Sequence, residues 1–241
     1  MTKNYRAVLG LIAVVLLLAA GCGHETAETR SRFNNYRDIP GVSAAEIEAI
    51  EALKRSRPEF VYGINLSSEG FLNHDKQVDG FAMLFCQRLS ELFDAKFSPY
   101  IYTWEELKEK LDRHVIDFTG ELTPTPQRLS QYIMTDPIAQ RIGKIFVNRH
   151  NESLKLIAND RPIRCAFLED STLYTIVKNT WRLPFVAIFA DDTDLPRLFA
   201  EGKIDAFIDE NTVEGIFENC DFIKMEDYFP IIYSPVSMMG K

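Results

Sequence analysis

Short apolar runs alternate with amphipathic segments along the chain from about residue 43 onward. Uninterrupted apolar and β-branched residues indicate buried strands, whereas apolar residues three and four positions apart indicate helices. In the first half, this pattern predicts helices at residues 44–55, 81–93 and 104–113, and strands at residues 60–64, 97–102 and 115–119. Such strand–helix–strand alternation is typical of a parallel α/β sheet with right-handed crossovers.

The same alternation returns in the second half. Strands are predicted at residues 145–148, 163–167, 185–189, 206–208 and 229–236, and helices at residues 171–178, 194–200 and 211–217. Two α/β lobes in tandem imply a ligand cleft between them. We therefore expect lobe 1 at residues 43–149, lobe 2 at residues 150–227 and a return strand to lobe 1 at residues 228–241.

Two helix starts carry clear capping signals. Ser43-Ala44-Ala45-Glu46 is a capping box, and Thr103 precedes the helix at residues 104–113. In a capping box the hydroxyl accepts from a backbone N–H of the first turn, and the glutamate accepts from the N-cap N–H. Both helices are therefore expected to begin at these positions.

Polar residues follow several predicted strands at the point where each strand ends. Asn65, residues 119–123, residues 170–172 and the pair Asp209-Glu210 all lie there. Open parallel sheets bind ligands at the carboxyl ends of their strands. The sequence therefore predicts a binding site for a polar ligand, shared between both halves of the chain.

The segment at residues 117–137 has the features of an anion site. Thr125 followed by Pro126 is a typical helix start, with Arg128 one turn in and the Thr123 hydroxyl just before it. Backbone N–H groups and a guanidinium suit a carboxylate or another anion. We expect this segment to contact the ligand.

Several motifs resemble those of the family 3 extracellular solute-binding proteins. They are Tyr62-Gly63-Ile64-Asn65 with Phe71, Val78-Asp79-Gly80-Phe81, Trp104-Glu105-Glu106-Leu107, the loop at residues 117–128, Met134-Thr135-Asp136-Pro137 and Gly202-Lys203-Ile204-Asp205-Ala206. The resemblance runs from about residue 59 to residue 236. It implies an α/β fold of the periplasmic-binding-protein-like type II class, with two lobes and a ligand cleft between them.

By position, the resemblance also implies a set of ligand contacts. The site residues would be Asn65, Phe71, Glu121, Thr123, Arg128, Ser171, Thr172, Asp209 and Glu210. Arg128 would hold a ligand carboxylate with help from Thr123. Glu210 would bind a ligand ammonium, with Asp209 as the alternative.

Two acidic residues depart from the family pattern. Glu121 stands where the family often has serine or a small residue, and it could pair with Arg128. Asp170 stands at a usual glycine position. An acidic cleft favours a cationic group, so a basic or diamine-like ligand stays open beside an amino acid.

Simpler interpretations of the site residues also stay open. Arg128 could be a surface ion-pair partner, since exposed arginine usually is. Ser171 and Thr172 could serve only to cap their helix. Phe71 and Trp104 could pack against the core or rim instead of the ligand.

The N-terminus resembles a bacterial lipoprotein signal at residues 1–22. Lys3 and Arg6 precede an apolar run that ends in Ala19-Ala20-Gly21-Cys22, and Cys22 would become the lipidated residue. An uncleaved signal anchor is the alternative. Both place the remaining chain on the extracytoplasmic face of the cell membrane, with residues 23–42 as a polar tether.

Composition excludes several functions. The net charge is −8 without a basic cluster, which argues against nucleic-acid binding. Cys86, Cys165 and Cys220 form no C-x-x-C pair, and Cys86 and Cys165 lie in apolar runs, where buried free thiols are expected. The four histidines are scattered without metal-ligand spacing. We therefore expect no metal, no cofactor and no enzymatic activity.

A narrower resemblance concerns the sensor regions of membrane histidine kinases and diguanylate cyclases. It is carried by residues 117–128, 132–139, 207–210 and 228–237. It implies ligand sensing, with a sensor kinase or cyclase as the membrane partner. The alternatives are the substrate-binding lipoprotein of an ABC amino-acid importer, with a permease partner, and a dehydratase-like enzyme on the same scaffold.

The family usually has a further helix that packs on lobe 1 after the return strand. This sequence reaches Lys241 without a segment that matches it. We therefore expect part of lobe 1 to expose an apolar face.

Overall fold

The structure is a computed structural model, and it describes residues 33–241. The predicted signal with Cys22, and residues 23–32 of the predicted tether, lie outside the described residues. No helix in the described part of the chain is long and apolar enough to cross a membrane.

Helices and strands alternate along residues 44–240. The helices are α1 (Ala44–Ser56), α2 (Phe81–Phe93), α3 (Trp104–Asp112), α4 (Pro126–Leu129), α5 (Leu154–Asp160), α6 (Thr172–Thr180) and α7 (Leu195–Ala200). The strands are β1 (Phe60–Asn65), β2 (Phe71–Leu72), β3 (Val78–Asp79), β4 (Phe97–Tyr102), β5 (Phe118–Leu122), β6 (Ile133–Asn148), β7 (Ile163–Phe167), β8 (Phe185–Phe189), β9 (Ala206–Glu210), β10 (Ile223–Asp227) and β11 (Tyr233–Gly240). Short 3₁₀ segments lie at Tyr36–Asp38, Asp192–Asp194 and Asn211–Phe217.

Local chemistry explains where α1 and α3 begin. The Ser43 hydroxyl accepts from the Glu46 backbone N–H, and a Glu46 carboxylate oxygen accepts from the Ser43 N–H. Thr103 and Glu106 make the same reciprocal pair at the start of α3. Both predicted helix starts are confirmed.

The main sheet has the strand order β4-β1-β5-β11-β6-β9-β7-β8, with β10 also paired to β6. Strand β6 changes partners along its length. Its first part, up to Ile142, pairs with β11, and the part from Gly143 onward pairs with β9 and β10. We call the β4-β1-β5-β11 side lobe 1 and the β9-β7-β8-β10 side lobe 2. Strand β6 therefore joins the two lobes near Ile142 and Gly143.

The sheet is mixed, whereas the sequence pattern predicted a parallel one. Strands β4, β1 and β5 are parallel, and so are β8, β7 and β9. Strand β11, however, runs antiparallel to β5 and β6, and β6 runs antiparallel to β9 and β10. The antiparallel pairings come from β11, which returns the chain to lobe 1 and lies between β5 and β6, and from the part of β6 that enters lobe 2.

Two strand predictions in lobe 1 need correction. The strand predicted at residues 115–119 begins only at Phe118, because the Val115 and Ile116 N–H groups still bond the Lys110 carbonyl oxygen behind α3. The strand predicted at residues 145–148 is the end of a longer strand that begins at Ile133. The pairing of β6 with β11 could not be read from local sequence.

Three further predictions near the C-terminus also need correction. Strand β9 continues to Glu210, so Asp209 and Glu210 lie within the strand and not after it. The segment at residues 211–217 is a 3₁₀ helix, and the Asn211 side chain accepts from the Ile142 N–H instead of capping it. The strand predicted at residues 229–236 is β11, which begins at Tyr233 and ends at Gly240.

Each lobe has its own apolar core. In lobe 2, side chains on both faces of the sheet are buried, including Phe146, Phe167 and Phe207. In lobe 1, the core includes Tyr62, Leu107 and Cys86. Cys86 and Cys165 are buried free thiols, as predicted.

Candidate functional site

A small cavity of about 50 Å³ lies between the two lobes. Among the residues singled out in the sequence, those that line it are Asn65, Glu121, Thr123, Arg128, Ser171, Thr172, Asp209 and Glu210. Phe71 is not among the lining residues, and its side chain lies half-exposed in β2. The carboxyl ends of β1 and β5 thus meet the ends of β7 and β9 around one space.

Arg128 reaches the cavity because α4 begins where the sequence predicted. The Thr125 hydroxyl accepts from the Arg128 backbone N–H at 3.2 Å, and Pro126 occupies the first helical position. The Arg128 guanidinium donates to the Thr123 carbonyl oxygen and, across the cleft, to the Asp170 carbonyl oxygen, each at 3.0 Å. A guanidinium has five N–H donors, so these two bonds leave donors for a ligand. Burial lowers the pKa of Arg128, whereas the neighbouring carboxylates of Asp170 and Glu210 oppose this effect.

Lobe 2 places the start of α6 beside the cavity. Ser171 precedes the helix and Thr172 is its first residue, and both line the cavity. The Ser171 side chain makes no capping hydrogen bond with the helix. The first backbone N–H groups of a helix carry partial positive charge and favour an anionic group nearby.

Asn65 is the last residue of β1. It is buried, and its side-chain amide donates to the Tyr102 carbonyl oxygen at 3.2 Å. Since this bond connects the ends of β1 and β4, part of the amide's bonding capacity is already used inside lobe 1.

Arg141 occupies the centre of the site, although the sequence analysis did not single it out. Its Nη1 donates to Oε2 of Glu121 and to Oε2 of Glu210, each at 2.9 Å, and its Nη2 donates to Oε2 of Glu69 at 2.6 Å. The residue is only 5% exposed. Burial opposes its charge, but the three carboxylates outweigh that effect and raise the pKa of Arg141. The expected pairing of Glu121 with Arg128 is wrong, because Glu121 pairs with Arg141.

Asp209 and Glu210 add acid groups from lobe 2. The Asp209 carboxyl group is buried and accepts from the Glu210 backbone N–H at 2.7 Å. Burial, together with the charge of Glu210, raises the pKa of Asp209 to about 8. Burial also raises the pKa of Glu210, although Arg141 offsets part of the effect. Asp209 therefore favours its protonated form at neutral pH.

Further contacts join the lobes around the cavity. Trp104, in lobe 1, donates its indole N–H to the Glu169 carbonyl oxygen at 2.8 Å, and its backbone N–H donates to the Asp192 carboxylate at 3.2 Å. Lys108 pairs with the Asp170 carboxylate at 3.0 Å. The cleft is therefore closed over the cavity by direct contacts between lobes.

A family model described as bacterial extracellular solute-binding proteins, family 3, matches residues 62–219. The chain belongs to this family. No curated protein matches this solute-binding protein.

Solved structures share its fold. An ancestral arginine-binding protein bound to glutamine has a TM-score of 0.62 and 18% identity, covering 77% of this chain and 84% of that chain. The amino acid ABC transporter substrate-binding protein AbpA from Streptococcus pneumoniae, bound to L-arginine, has a TM-score of 0.62 and 14% identity, covering 79% and 84%. An ancestral amino-acid-binding protein, a precursor of cyclohexadienyl dehydratase, has a TM-score of 0.60 and 16% identity, covering 80% and 85%. At these identities the likeness shows the periplasmic-binding-protein-like type II fold alone.

Sequence reasoning missed Arg141 and its partner Glu69. One signal was present: Arg141 stands in a strand-like stretch between Ala139 and Ile142, where a buried charge needs partners. Its partner Glu69 lies 72 positions away along the chain, and Glu210 lies 69 positions away, so no local pattern indicates them.

The solute-binding protein also has a wider groove next to the cavity. This groove has a volume of about 670 Å³, and it shares Arg128, Ser171 and Thr172 with the cavity. Arg128 therefore stands between the closed cavity and a larger space along the lobe boundary. The described residues contain no cluster of three or more His, Cys, Asp or Glu side chains that could hold a metal ion.

Proposed function

We propose that this protein binds a small, amino-acid-like polar solute between its lobes. The observation that carries the proposal is the position of Arg128 from lobe 1 and of Asp209 and Glu210 from lobe 2 around one cavity. An amino acid carries a carboxylate and an ammonium a few ångströms apart, and this arrangement offers a partner for each.

The roles of the other site residues follow from their positions. Arg128 binds the ligand carboxylate, with Thr123 beside it and with Ser171 and Thr172 at the start of α6. Glu210 binds the ligand ammonium, with Asp209 as the alternative. The partial positive charge at the start of α6 favours a carboxylate at the Arg128 side of the cavity.

Ligand entry requires the lobes to separate. The cavity of about 50 Å³ is smaller than the roughly 150 Å³ cavity that accommodates benzene in a protein interior. The chain passes between the lobes within β6, at Ile142 and Gly143, and again where it enters β11, at Ile232 and Tyr233. Hinge motion at such crossings opens and closes bilobal proteins.

The predicted lobe boundaries at residues 149 and 228 need correction, because β6 pairs with lobe 2 from Gly143 onward and Tyr228 and Ile232 pack in the lobe 2 core. We propose that residues 43–142 with 233–241 move against residues 143–232.

We further propose that the protein is anchored through a lipid on Cys22, on the extracytoplasmic face of the membrane, and that it senses its ligand for a signalling partner. The sequence resemblance to sensor regions supports this role. The alternative is delivery of the ligand to an ABC permease. One structural neighbour, AbpA, is described as the substrate-binding protein of an amino acid ABC transporter. Adjacent genes for a permease and an ATPase would favour import, whereas a kinase or cyclase gene would favour sensing.

One observation favours an enzyme as the second candidate. Asp209 and Glu210 are adjacent in the cavity and both have a raised pKa, and general acid–base catalysis uses carboxyl groups tuned in this way. One structural neighbour is a precursor of cyclohexadienyl dehydratase. Steady turnover of a cyclohexadienyl substrate, lost in Asp209→Asn and Glu210→Gln, would support this candidate, and binding without turnover would exclude it.

The direct test of ligand binding is thermal unfolding of the purified protein with amino acids, polyamines and small dicarboxylates. A ligand at about 100 times its Kd adds roughly 2.7 kcal/mol to the free energy of unfolding. Each kcal/mol raises Tm by about 2–4 °C in a domain of this size. We expect a shift with one ligand class in the wild type and in Arg197→Ala, whose side chain lies on the surface, but none in Arg128→Ala. A cooperative transition that no ligand shifts would contradict the proposal.

A further inference from the structure

Arg141 places a cationic group inside the cleft where a ligand cation would otherwise sit. The residue belongs to β6, and Gly143, two positions later, is the first residue of the strand that pairs with lobe 2. Its guanidinium is buried and lines the same cavity as Arg128 and Glu210. The chain itself therefore contributes a guanidinium to the closed cleft.

This guanidinium meets carboxylates from both lobes. Glu69 and Glu121 belong to lobe 1, and Glu210 belongs to lobe 2. Glu69 accepts from both Nη2 and Nε of Arg141, at 2.6 and 3.4 Å, which is close to the bidentate geometry that guanidinium groups favour. One guanidinium thus faces three carboxyl groups.

Part of the cluster remains without a partner. The side chain of Glu121 is only 6% exposed, and its Oε1 atom is buried without a hydrogen-bond partner. A buried carboxylate oxygen is costly unless it accepts a hydrogen bond. Because Glu121 lines the cavity, a compact ammonium could join the cluster beside Arg141 without displacing it.

We propose that Arg141 is a tethered cation that occupies the carboxylate cluster of Glu69, Glu121 and Glu210 and thereby restricts the cleft to ligands with one compact ammonium. This inference rests on the proposed function of the same cleft. A solute with a long guanidinium-bearing side chain is excluded, because its cationic end competes with Arg141 for the same oxygens. Arg141 is in this sense a specificity-determining residue.

Removal of the Arg141 side chain tests the idea by leaving the cluster without its cation. In Arg141→Ala, three carboxylates surround an unfilled space of guanidinium shape. Free guanidinium ion should fill that space and raise the Tm of this variant, whereas urea, a neutral molecule of similar shape, should not. Guanidinium at about 10 mM is far below the molar range in which it unfolds proteins, so this effect is not masked.

The expected pattern has three parts. Guanidinium chloride at this concentration raises the Tm of Arg141→Ala above the value in equal sodium chloride, and leaves the wild type unchanged. L-arginine binds Arg141→Ala at least tenfold more tightly than the wild type in calorimetric titration. Arg141→Lys, which retains a cation, responds to neither compound.

A variant that fails to fold would not end the test. Arg141→Ala leaves buried charges unpaired, so Arg141→Ala with Glu121→Gln provides a second background with less repulsion. If Arg141→Ala folds, guanidinium should raise the Tm of the double variant less than the Tm of Arg141→Ala. If Arg141→Ala does not fold alone, guanidinium added during refolding should promote its folding. Absence of any guanidinium effect in both variants would overturn the inference.

The outcomes separate this inference from the proposed function. If the wild type binds compact amino acids but guanidinium affects neither variant, the role of Arg141 is wrong and the binding function stands. If guanidinium rescues Arg141→Ala but the wild type binds no tested solute, the tethered cation stands and the amino-acid function fails. Wild-type binding of L-arginine as tight as that of Arg141→Ala would also contradict the inference.

Discussion

The indole Nε1 of Trp104 donates a hydrogen bond of 2.8 Å to the carbonyl oxygen of Glu169, and so connects lobe 1 to lobe 2. The Trp104 ring also packs against the apolar cores of both lobes. Any separation of the lobes therefore exposes this ring to water, and Trp104 reports on closure of the cleft.

Tryptophan fluorescence should follow ligand binding through Trp104. The chain has two tryptophans, and Trp181 packs against Phe185 and Tyr228 within lobe 2. We expect ligand to shift the emission of Trp181→Phe to shorter wavelength, since closure removes Trp104 from water. Trp104→Phe, the matched variant, should show little change. An equal response of the two variants would contradict a closing motion at Trp104.

Asp209 should make stability depend on pH. Its folded pKa of about 8 lies above the usual value of about 4, so the folded protein retains a proton that the unfolded chain loses between these values. This group therefore makes stability fall as pH rises through that window, by up to about 1.4 kcal/mol per pH unit, with no further loss above the folded pKa. The groups that act on it are Glu210, Glu121 and Arg141.

Urea unfolding at several pH values between about 5 and 9 measures this dependence. Asp209→Asn retains an acceptor for the Glu210 N–H. Its free energy of unfolding should change less with pH than that of the wild type. Asp221→Asn, a change at an exposed position, is the control and should parallel the wild type. Parallel curves for Asp209→Asn and the wild type would show that Asp209 ionises normally.

Asp205 should be a structural residue of lobe 2. Its carboxylate accepts from the guanidinium groups of Arg161 and Arg164 and from the Arg164 backbone N–H, at 2.6 to 3.1 Å. Burial opposes the charge, but these bonds outweigh it and hold the pKa of Asp205 well below its usual range. Asp205→Asn should lower the free energy of unfolding by about 3 kcal/mol, since charged hydrogen bonds are lost and two guanidinium groups lose their counter-ion.

Thermal unfolding provides the measurement for Asp205. A loss of this size lowers Tm by roughly 6–12 °C in a domain of this length. Asp194→Asn is the matched control, because Asp194 pairs with Arg197 at a position where both side chains are half-exposed, and surface pairs contribute about 0–1 kcal/mol. Equal Tm values for the two variants would show that Asp205 contributes no more than a surface charge.

The sequence was sufficient wherever structure is set by a few neighbouring residues. Ser43 with Glu46 and Thr125 with Pro126 determine helix starts within one turn, and both were predicted. All but one of the predicted site residues line the cavity, because polar groups at strand ends converge at one edge of the sheet. Phe71 was the exception, since its two-residue strand lies away from the cavity.

The sequence was insufficient wherever a residue depends on distant partners. Glu121 was expected to pair with Arg128, seven positions away, yet it pairs with Arg141 on the strand that joins the lobes. The long pairing of β6 with β11 brings together segments about 100 residues apart, which local periodicity does not encode. Strand β6 also pairs with β9, with Gly143 opposite Glu210, so Arg141 lies among carboxylates of both lobes.

Calorimetric titration of the purified protein with the solute found by the thermal screen tests the central claim most directly. The account predicts one bound molecule per chain, with affinity retained in Arg197→Ala and reduced about 10- to 100-fold or more in Arg128→Ala, because a charged hydrogen bond contributes about 1.5–3 kcal/mol. An affinity unchanged by Arg128→Ala would contradict the claim that this cleft holds the ligand carboxylate.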